Sequence, residues 1–443
     1  MDPILKVSGE KVTTLWRTMI EETKEKIGEE LTLAGWVARK RPLGKILFLL
    51  LRDATGIIQV TVKEEDNPEV WRIASELGRE DVVKVSGCAQ LSEVSHAGIE
   101  FIPKEIEVLS KAASPLPFDP AEMVKAELDT RLDHRFMDFR TSHTSSIFKI
   151  QSQILRSFRE FLLGRGFLEI QPPCIISSAS EGGAELFKIP YFEREAYLAQ
   201  SPQLYKQMCA ISFEKVFTVV PVWRAEKFNR PTHLNEIRQM DVEVAFASDE
   251  DVMRLLEEVL VHILVSVKEH CGGELEALGR NYEVPSLPLR RVTYSEAVDL
   301  LRGKGEKIEW GEDFSKPQER LLLSLVGEGA FFVKDWPTVQ KAFYVMPYEE
   351  NPEVCRAFDL IHEGLEISSG TQRIHLPDLL RKQILAKGLK PEDFEHYINC
   401  FAYGAPPHAG WSIGLERLTM TVTGMENIRE CCMFPRDRNR LVP

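Results

Sequence analysis

The chain has 443 residues, 44% hydrophobic and 28% charged; this is the balance of an ordinary globular protein, and the length exceeds one compact core, so two or three domains are expected. No apolar run approaches the ~20 residues of a membrane span, and the amino-terminal stretch lacks the apolar centre of a secretory leader. The formal net charge of −13 argues against indiscriminate nucleic-acid binding, and the eight cysteines, without CxxC or zinc spacing, read as reduced thiols of a cytoplasmic protein.

Residues 30–41, 45–54 and 56–63 predict consecutive strands, 68–78 a short helix, and 81–91 and 99–109 two further strands. Five strands with a helix between the third and fourth is the order of the OB-fold, a β-barrel that often binds oligonucleotides. Arg39, Lys40, Arg41, Lys45, Arg52 and Lys63, set against Asp53 alone, form the basic cluster that selective RNA docking would need. The Pro-rich run 112–120 reads as a linker. The expected division is therefore residues 1–110, a linker or hinge over 111–135, and a second domain over 136–443.

In that second domain, residues 146–167 and 249–270 carry apolar positions at helical spacing. Between them, Phe217 to Phe246 reads as two strands joined by a polar loop, with Arg224, Glu226, His233, Glu236, Arg238, Asp241 and Glu243 punctuating segments that otherwise want burial. Charge survives in strand interiors when paired or when it faces a wet cavity. Helices and strands alternate without βαβ spacing, so an antiparallel α+β domain is expected. Neither a Walker A nor a GxGxxG element is present, so any nucleotide is held in another way.

Three further segments concentrate chemistry. A Gly-flanked acidic loop surrounds Glu181, and Gln203 and Lys206 share one face of a helical turn, where a small anion would fit. Glu366 and Ser369 offer hard oxygen ligands of the kind Mg²⁺ takes, while Gly414 permits close approach and Arg417 supplies a fixed cation. Arginines, acids and one lysine in this combination suit a polyphosphate attacked at its α-phosphorus by a carboxylate, a reaction that rests on positioning and charge neutralisation.

Residues 166–173, the stretch Val222–Glu226 with Thr232–Glu236, and Gly410–Leu418 resemble motifs 1, 2 and 3 of the class II aminoacyl-tRNA synthetases. The OB-fold is similar to that of the class IIb subgroup, and the segments around Gln203, Glu181, Glu366–Arg373 and the carboxyl end resemble aspartyl-tRNA synthetases of archaeal and eukaryotic type. The resemblance implies an OB-fold anticodon-binding domain and a catalytic domain built on an antiparallel β-sheet flanked by helices. It implies an aspartate–tRNA ligase that activates L-aspartate with Mg·ATP and charges tRNA-Asp, or a relaxed enzyme that also charges tRNA-Asn. A small-molecule ligase related to asparagine synthetase is disfavoured by the OB domain.

By the same resemblance Arg224 and Arg417 are catalytic, and Glu181, Gln203, Lys206, Arg224, Ser369 and Arg373 bind aspartate. ATP falls to Arg224, Ala225, Glu226, Thr232, His233, Leu234, Glu366, Gly414, Leu415, Glu416 and Arg417, and the metal to Glu366 and Ser369. Phe48, Gln59 and Glu100 read the anticodon, and Pro173 lies at a homodimer interface. Lys206 is expected to select aspartate, because an amide would leave its ammonium unpaired. Three positions depart from the pattern. Thr232 stands where many relatives carry arginine, with Arg230 two residues before it; Ser412 replaces a glycine; and Ala38 stands where relatives often have histidine or tryptophan, a position bearing on tRNA range.

Overall fold

A computed structural model describes residues 16–93, 95, 98–121, 126–177, 186–327 and 329–443. Two compact units divide at Met137/Asp138.

Among the described residues of the first unit, five strands close a barrel: β1 (Glu30–Leu43), β2 (Ile46–Arg52), β3 (Ile57–Lys63), β4 (Val82–Leu91) and β5 (Ile99–Ser110), in the order β1-β2-β3-β5-β4. Each strand alternates apolar residues inward, Leu47, Leu49 and Leu51 on β2 being nearly inaccessible. Helix α1 (Pro68–Glu76) follows β3, started by the Asn67 side chain, which accepts from Val70 N, and by Pro68 in the first turn. The OB-fold reading is borne out element by element. Part of the expected basic cluster is structural, however. Arg52 is buried against Glu80 at 2.8 Å, and Lys40 donates to the Ser75 and Leu77 carbonyls at the end of α1.

The second unit is built on a sheet that, among the described residues, has eight strands. The sheet and the helices that frame the site are, in chain order, α2 (Ser142–Leu163), β6 (Leu168–Glu169), α3 (Gln203–Phe213), β7 (Lys215–Trp223), β8 (Glu236–Ala245), α4 (Asp249–His270), β9 (Arg290–Thr293), α5 (Lys316–Val326), β10 (Ala330–Pro337), β11 (Val354–His362), β12 (Leu365–Gln372), β13 (His408–Gly414) and α6 (Leu415–Thr423). The strand order is β9-β10-β11-β12-β13-β8-β7-β6, antiparallel except for the two outermost pairs. Pro221 sits in β7 beyond the point where β6 pairs, so its missing N–H costs no ladder bond on that side.

One face of this sheet is apolar. Met240, Val242, Phe358, Leu360, Trp411 and Ile413 pack against the inner stripes of α2 and α4. The opposite face is polar along its centre, and that is where the two principal cavities lie.

Candidate active site

The polar face follows from strand alternation and register. Asp241 on β8 pairs with Ser412 on β13, Ser412 with Ser369 on β12, and Ser369 with Asp359 on β11. Because paired residues point to the same side, these four side chains form a row across four strands. One step along the strands, Glu243, Gly410 and Thr371 form a second row. Gly410 is obligatory there, since a Cβ would lie 2.2 Å from both Glu243 Oε2 and Val242 O.

Glu366 reaches this face only through a bulge. Leu360 pairs with Ser368 and Ile361 with Glu366, which leaves Ile367 as one extra residue in β12. The extra residue reverses the alternation, so Glu366 shares a side with Ser369 although they are three apart.

A cavity of about 410 Å³ lies over the rows, lined by Gln203, Lys206, Arg224, Asp241, Ser369 and Arg373 among others. Lys206, on the first turn of α3, places Nζ 2.7 Å from Asp241 Oδ1 and 3.5 Å from Glu243 Oε2. Arg373 makes a forked pair with Glu243, Nε to Oε1 at 2.9 Å and Nη2 to Oε2 at 3.1 Å, and Nη1 donates to Thr371 Oγ1 at 2.7 Å. Burial pushes the Glu243 carboxyl up, but Arg373 and Lys206 outweigh it and hold it below the usual range. At Asp241 burial prevails over the pull of Lys206 and raises the carboxyl. The Ser412 hydroxyl donates to Asp241 Oδ2 at 3.2 Å, so the departure from glycine adds a hydrogen bond to the floor.

This network corrects one expectation. Lys206 already faces two carboxylates, so an amide ligand would not leave its ammonium unpaired, and the selectivity argument from an isolated charge does not stand. Periodicity placed Lys206 on a helix face but carried no information about the partners that β8 brings to it.

A second cavity, about 650 Å³, is lined by Glu226, Thr232, His233, Leu234, Glu366, Gly414, Glu416 and Arg417, together with Arg230, Lys316 and Glu319. Arg224, Gln239, Ser369 and Ser412 border both cavities. Arg417 Nη1 donates to Glu366 O at 3.1 Å and lies 3.3 Å from Oε2, with Lys316 Nζ 4.0 Å from the same oxygen. Burial raises the Glu366 carboxyl, yet Arg417 and Lys316 bring it below its ordinary value. Burial, then the charges of Arg417 and Lys316, push His233 down to about 4, so it is neutral at pH 7. Burial also lifts Glu319 to about 7 against the pull of Lys316.

The other expected residues fall unevenly. Glu416 is buried, and both its oxygens accept from Arg238 N at 3.1 Å. Leu415 puts its side chain into the core, and Ala225 borders neither cavity. Glu181 lies outside the described residues. On the barrel, Gln59 and Glu100 are register partners, and Phe48 pairs with Thr61, whose hydroxyl donates to Glu100 Oε2 at 2.5 Å. The three therefore share one outer patch. Ala38 is buried at a bulge in β1, and Pro173 is exposed.

Sequence reasoning missed Lys316, Glu319, Lys341 and Asp359. Lys341 Nζ is 2.7 Å from Asp359 Oδ2, and the Ser369 hydroxyl bears on the same buried carboxylate. Asp359 stands directly across the strand pair from Ser369. Asp359, Ser369 and Glu366 thus present hard oxygen donors on one face, a set that fits Mg²⁺ completed by water and phosphate oxygens. Among the described residues no group of three or more His, Cys, Asp or Glu is arranged as a complete metal cage.

The model of class II tRNA synthetases (D, K and N) matches residues 127–438, and that of the OB-fold nucleic acid binding domain matches residues 31–109. The chain belongs to the class II tRNA synthetases. Similar to this synthetase are the Aspartate--tRNA(Asp/Asn) ligases of Methanocaldococcus jannaschii, 49% identical over 94% of this chain and 95% of that one, and of Methanopyrus kandleri, 50% identical over 95% and 98%. Among solved structures, asparaginyl-tRNA synthetase from Pyrococcus horikoshii with asparaginyl-adenylate superposes with TM-score 0.92 at 34% identity, covering 96% of the synthetase and 99% of that chain. Aspartyl tRNA synthetase from Entamoeba histolytica does so with TM-score 0.86 at 32% identity, covering 100% and 96%.

Proposed function

We propose that the synthetase is an aspartate–tRNA ligase, working in two steps at the joined cavities. The observation that carries this reading is Arg224, which borders both a cavity holding Lys206 and Arg373 and a cavity holding Arg417, His233 and Glu366. The first suits a small zwitterion with an acidic side chain, the second a nucleoside triphosphate.

In this reading Gln203, Lys206 and Arg373 orient aspartate, with Ser369 beneath it and Glu181 drawing its amino group. Arg224 holds the α-carboxylate against the α-phosphate of ATP. Glu226 meets the adenine end, followed by Thr232, His233 and Leu234, while Gly414, Glu416 and Arg417 complete the ATP side; Ala225 and Leu415 would offer only their backbone. The carboxylate is already a nucleophile, so no general base is needed. An oxygen–phosphorus bond forms, the bond from the α-phosphorus to the bridging oxygen breaks, and pyrophosphate leaves with the electron pair. Arg224 and Arg417 face charge that builds in this step. Glu366 and Ser369, with Asp359, would hold Mg²⁺, which when bound offsets phosphate charge. The aspartyl group then passes to the 3′ end of tRNA, whose anticodon rests on Phe48, Gln59 and Glu100.

The proposal includes residues 1–110 as the anticodon-binding domain, 111–135 as a hinge and 136–443 as the catalytic domain. It also includes a homodimer with Pro173 at its interface, acting in the cytoplasm; among the described residues no helix is long and apolar enough to cross a membrane. Aspartate-dependent ATP–pyrophosphate exchange tests the first step. Exchange supported by asparagine and not by aspartate would overturn the reading.

A second reading, that tRNA-Asn is charged as well, is favoured by the Asp/Asn designation of the curated relatives. Aspartylation of transcripts with GUC and GUU anticodons separates the two, near-equal rates favouring the relaxed enzyme.

A further inference from the structure

Beyond the ATP-side cavity lies a smaller one of about 180 Å³. Thr232 and Lys316 line both, so the two adjoin. They adjoin beside His233 and Glu366. Thr232 precedes His233, and Lys316 Nζ is 4.0 Å from Glu366, the carboxylate that Arg417 also meets. On the proposed function, on which this inference rests, that is the β,γ-phosphate end.

The small cavity is lined by Arg280, Lys316 and Arg320 and by the carboxylates Glu363 and Glu426, with Lys316 Nζ also 2.7 Å from Glu319 Oε1. Arg280 is committed to the frame, because Nη2 and Nε donate to Thr421 O at 2.8 Å and Val422 O at 3.2 Å near the end of α6, and Nη2 lies 3.3 Å from Glu363. Arg320, on the outer side of α5, has no hydrogen-bond or ion-pair partner among the described residues. Its position is nevertheless built. Its stem lies over Gly364, where an added Cβ would meet Arg320 Cγ at 3.1 Å, and Gly364 has φ +75 in the turn between β11 and β12. The stem of Arg320 is thus held by packing, and its exposed head has no counter-ion among the described residues. The volume is that of about six waters, room for a compact polyanion and not for a nucleoside.

We infer that this cavity receives the pyrophosphate released from the ATP side, with Arg320 and Lys316 as its cations. Once the bond to the α-phosphorus breaks, the diphosphate must leave while the adenylate stays under Arg224. A chamber that holds the uncommitted Arg320 and is entered past Lys316 gives it a route that does not cross the amino-acid cavity.

The test uses the full chain. The parent must first give aspartate-dependent ATP–pyrophosphate exchange; its absence would sink the proposed function. Calorimetry then measures the affinities of pyrophosphate and of ATP for the parent, Arg320→Ala and Arg320→Glu, with melting curves to verify that the exposed substitutions leave the fold intact. Pyrophosphate should bind about fivefold more weakly to the alanine variant, and more weakly still to the glutamate variant, as expected for one charge-assisted contact. ATP affinity should stay within about twofold of the parent. With exchange intact, unchanged pyrophosphate affinity in both variants overturns the inference. Equal losses for ATP and pyrophosphate also overturn it, by making Arg320 part of the ATP site.

Discussion

Lys206 Nζ stands 2.7 Å from Asp241 Oδ1, with the two side chains 2% and 1% exposed. The pair holds the amino-acid cavity in shape before any ligand arrives, so substitution at either position affects folding and binding together. Lys206→Ala should cost about 3–5 kcal/mol of stability by stranding buried carboxylates. Lys206→Met combined with Asp241→Asn should recover at least half of that loss and still bind aspartate much more weakly than ATP. Urea unfolding and substrate titrations read both quantities. Parent-like stability of Lys206→Ala would refute the buried pair, and equal losses for the two ligands would refute the role of Lys206.

Gly410 sits beneath the Glu243 carboxylate, with room for no side chain. Gly410→Ala should displace Glu243 and with it Arg373, lowering stability by about 1–3 kcal/mol and raising the KM for aspartate while sparing that for ATP. Thermal melts and exchange kinetics check this, and an unaltered aspartate KM would mean that the forked pair is not needed.

Gln59 and Glu100 meet on the outside of the barrel. Gln59→Ala should reduce tRNA charging about tenfold or more, in line with a lost base-reading contact, and leave exchange at the parent level. Loss of both activities would point to a folding defect.

His362 is fully buried, its Nδ1 2.8 Å from Thr421 Oγ1. Burial, and then the charge of Arg280, push it down to about 4. Its unfolded value is near 6.5, so the fold prefers the neutral ring. That contribution is complete above pH 6.5 and is lost as the pH falls toward 4, up to about 3 kcal/mol over that interval. His362→Gln should therefore lose less stability than the parent between pH 7 and 4.5 in urea unfolding. Parallel pH dependences would exclude His362 as an acid-sensitive group.

The barrel was legible because alternation, Gly turns and one helix in the right place leave few other topologies. The β7–β8 hairpin was legible for the same reason, and charges placed awkwardly along its strands are enough to mark a site. What the sequence left hidden were contacts between strands distant in the chain. Asp359 looks like one more acid in an apolar run until β11 pairs with β12 and sets it opposite Ser369. Lys316 and Lys341 lie in loop and helix-start contexts where lysine is usually solvated, and only the folded sheet brings them to carboxylates. Glu366 was legible by its chemistry but not by its placement, since strict alternation would have turned it away from Ser369 without the bulge at Ile367.

Among the described residues, Arg224 is the one arginine that borders both principal cavities. A side chain with two prospective ligands makes their binding energies interdependent. Whichever ligand first fixes the guanidinium removes part of the ordering cost for the other, and thermodynamic reciprocity requires the enhancement to be the same in both directions. Aspartate affinity measured with a non-hydrolysable ATP analogue, and analogue affinity measured with aspartate, should therefore rise by one common factor that Arg224→Ala brings to unity. On this view the enzyme senses the presence of both substrates through a single residue.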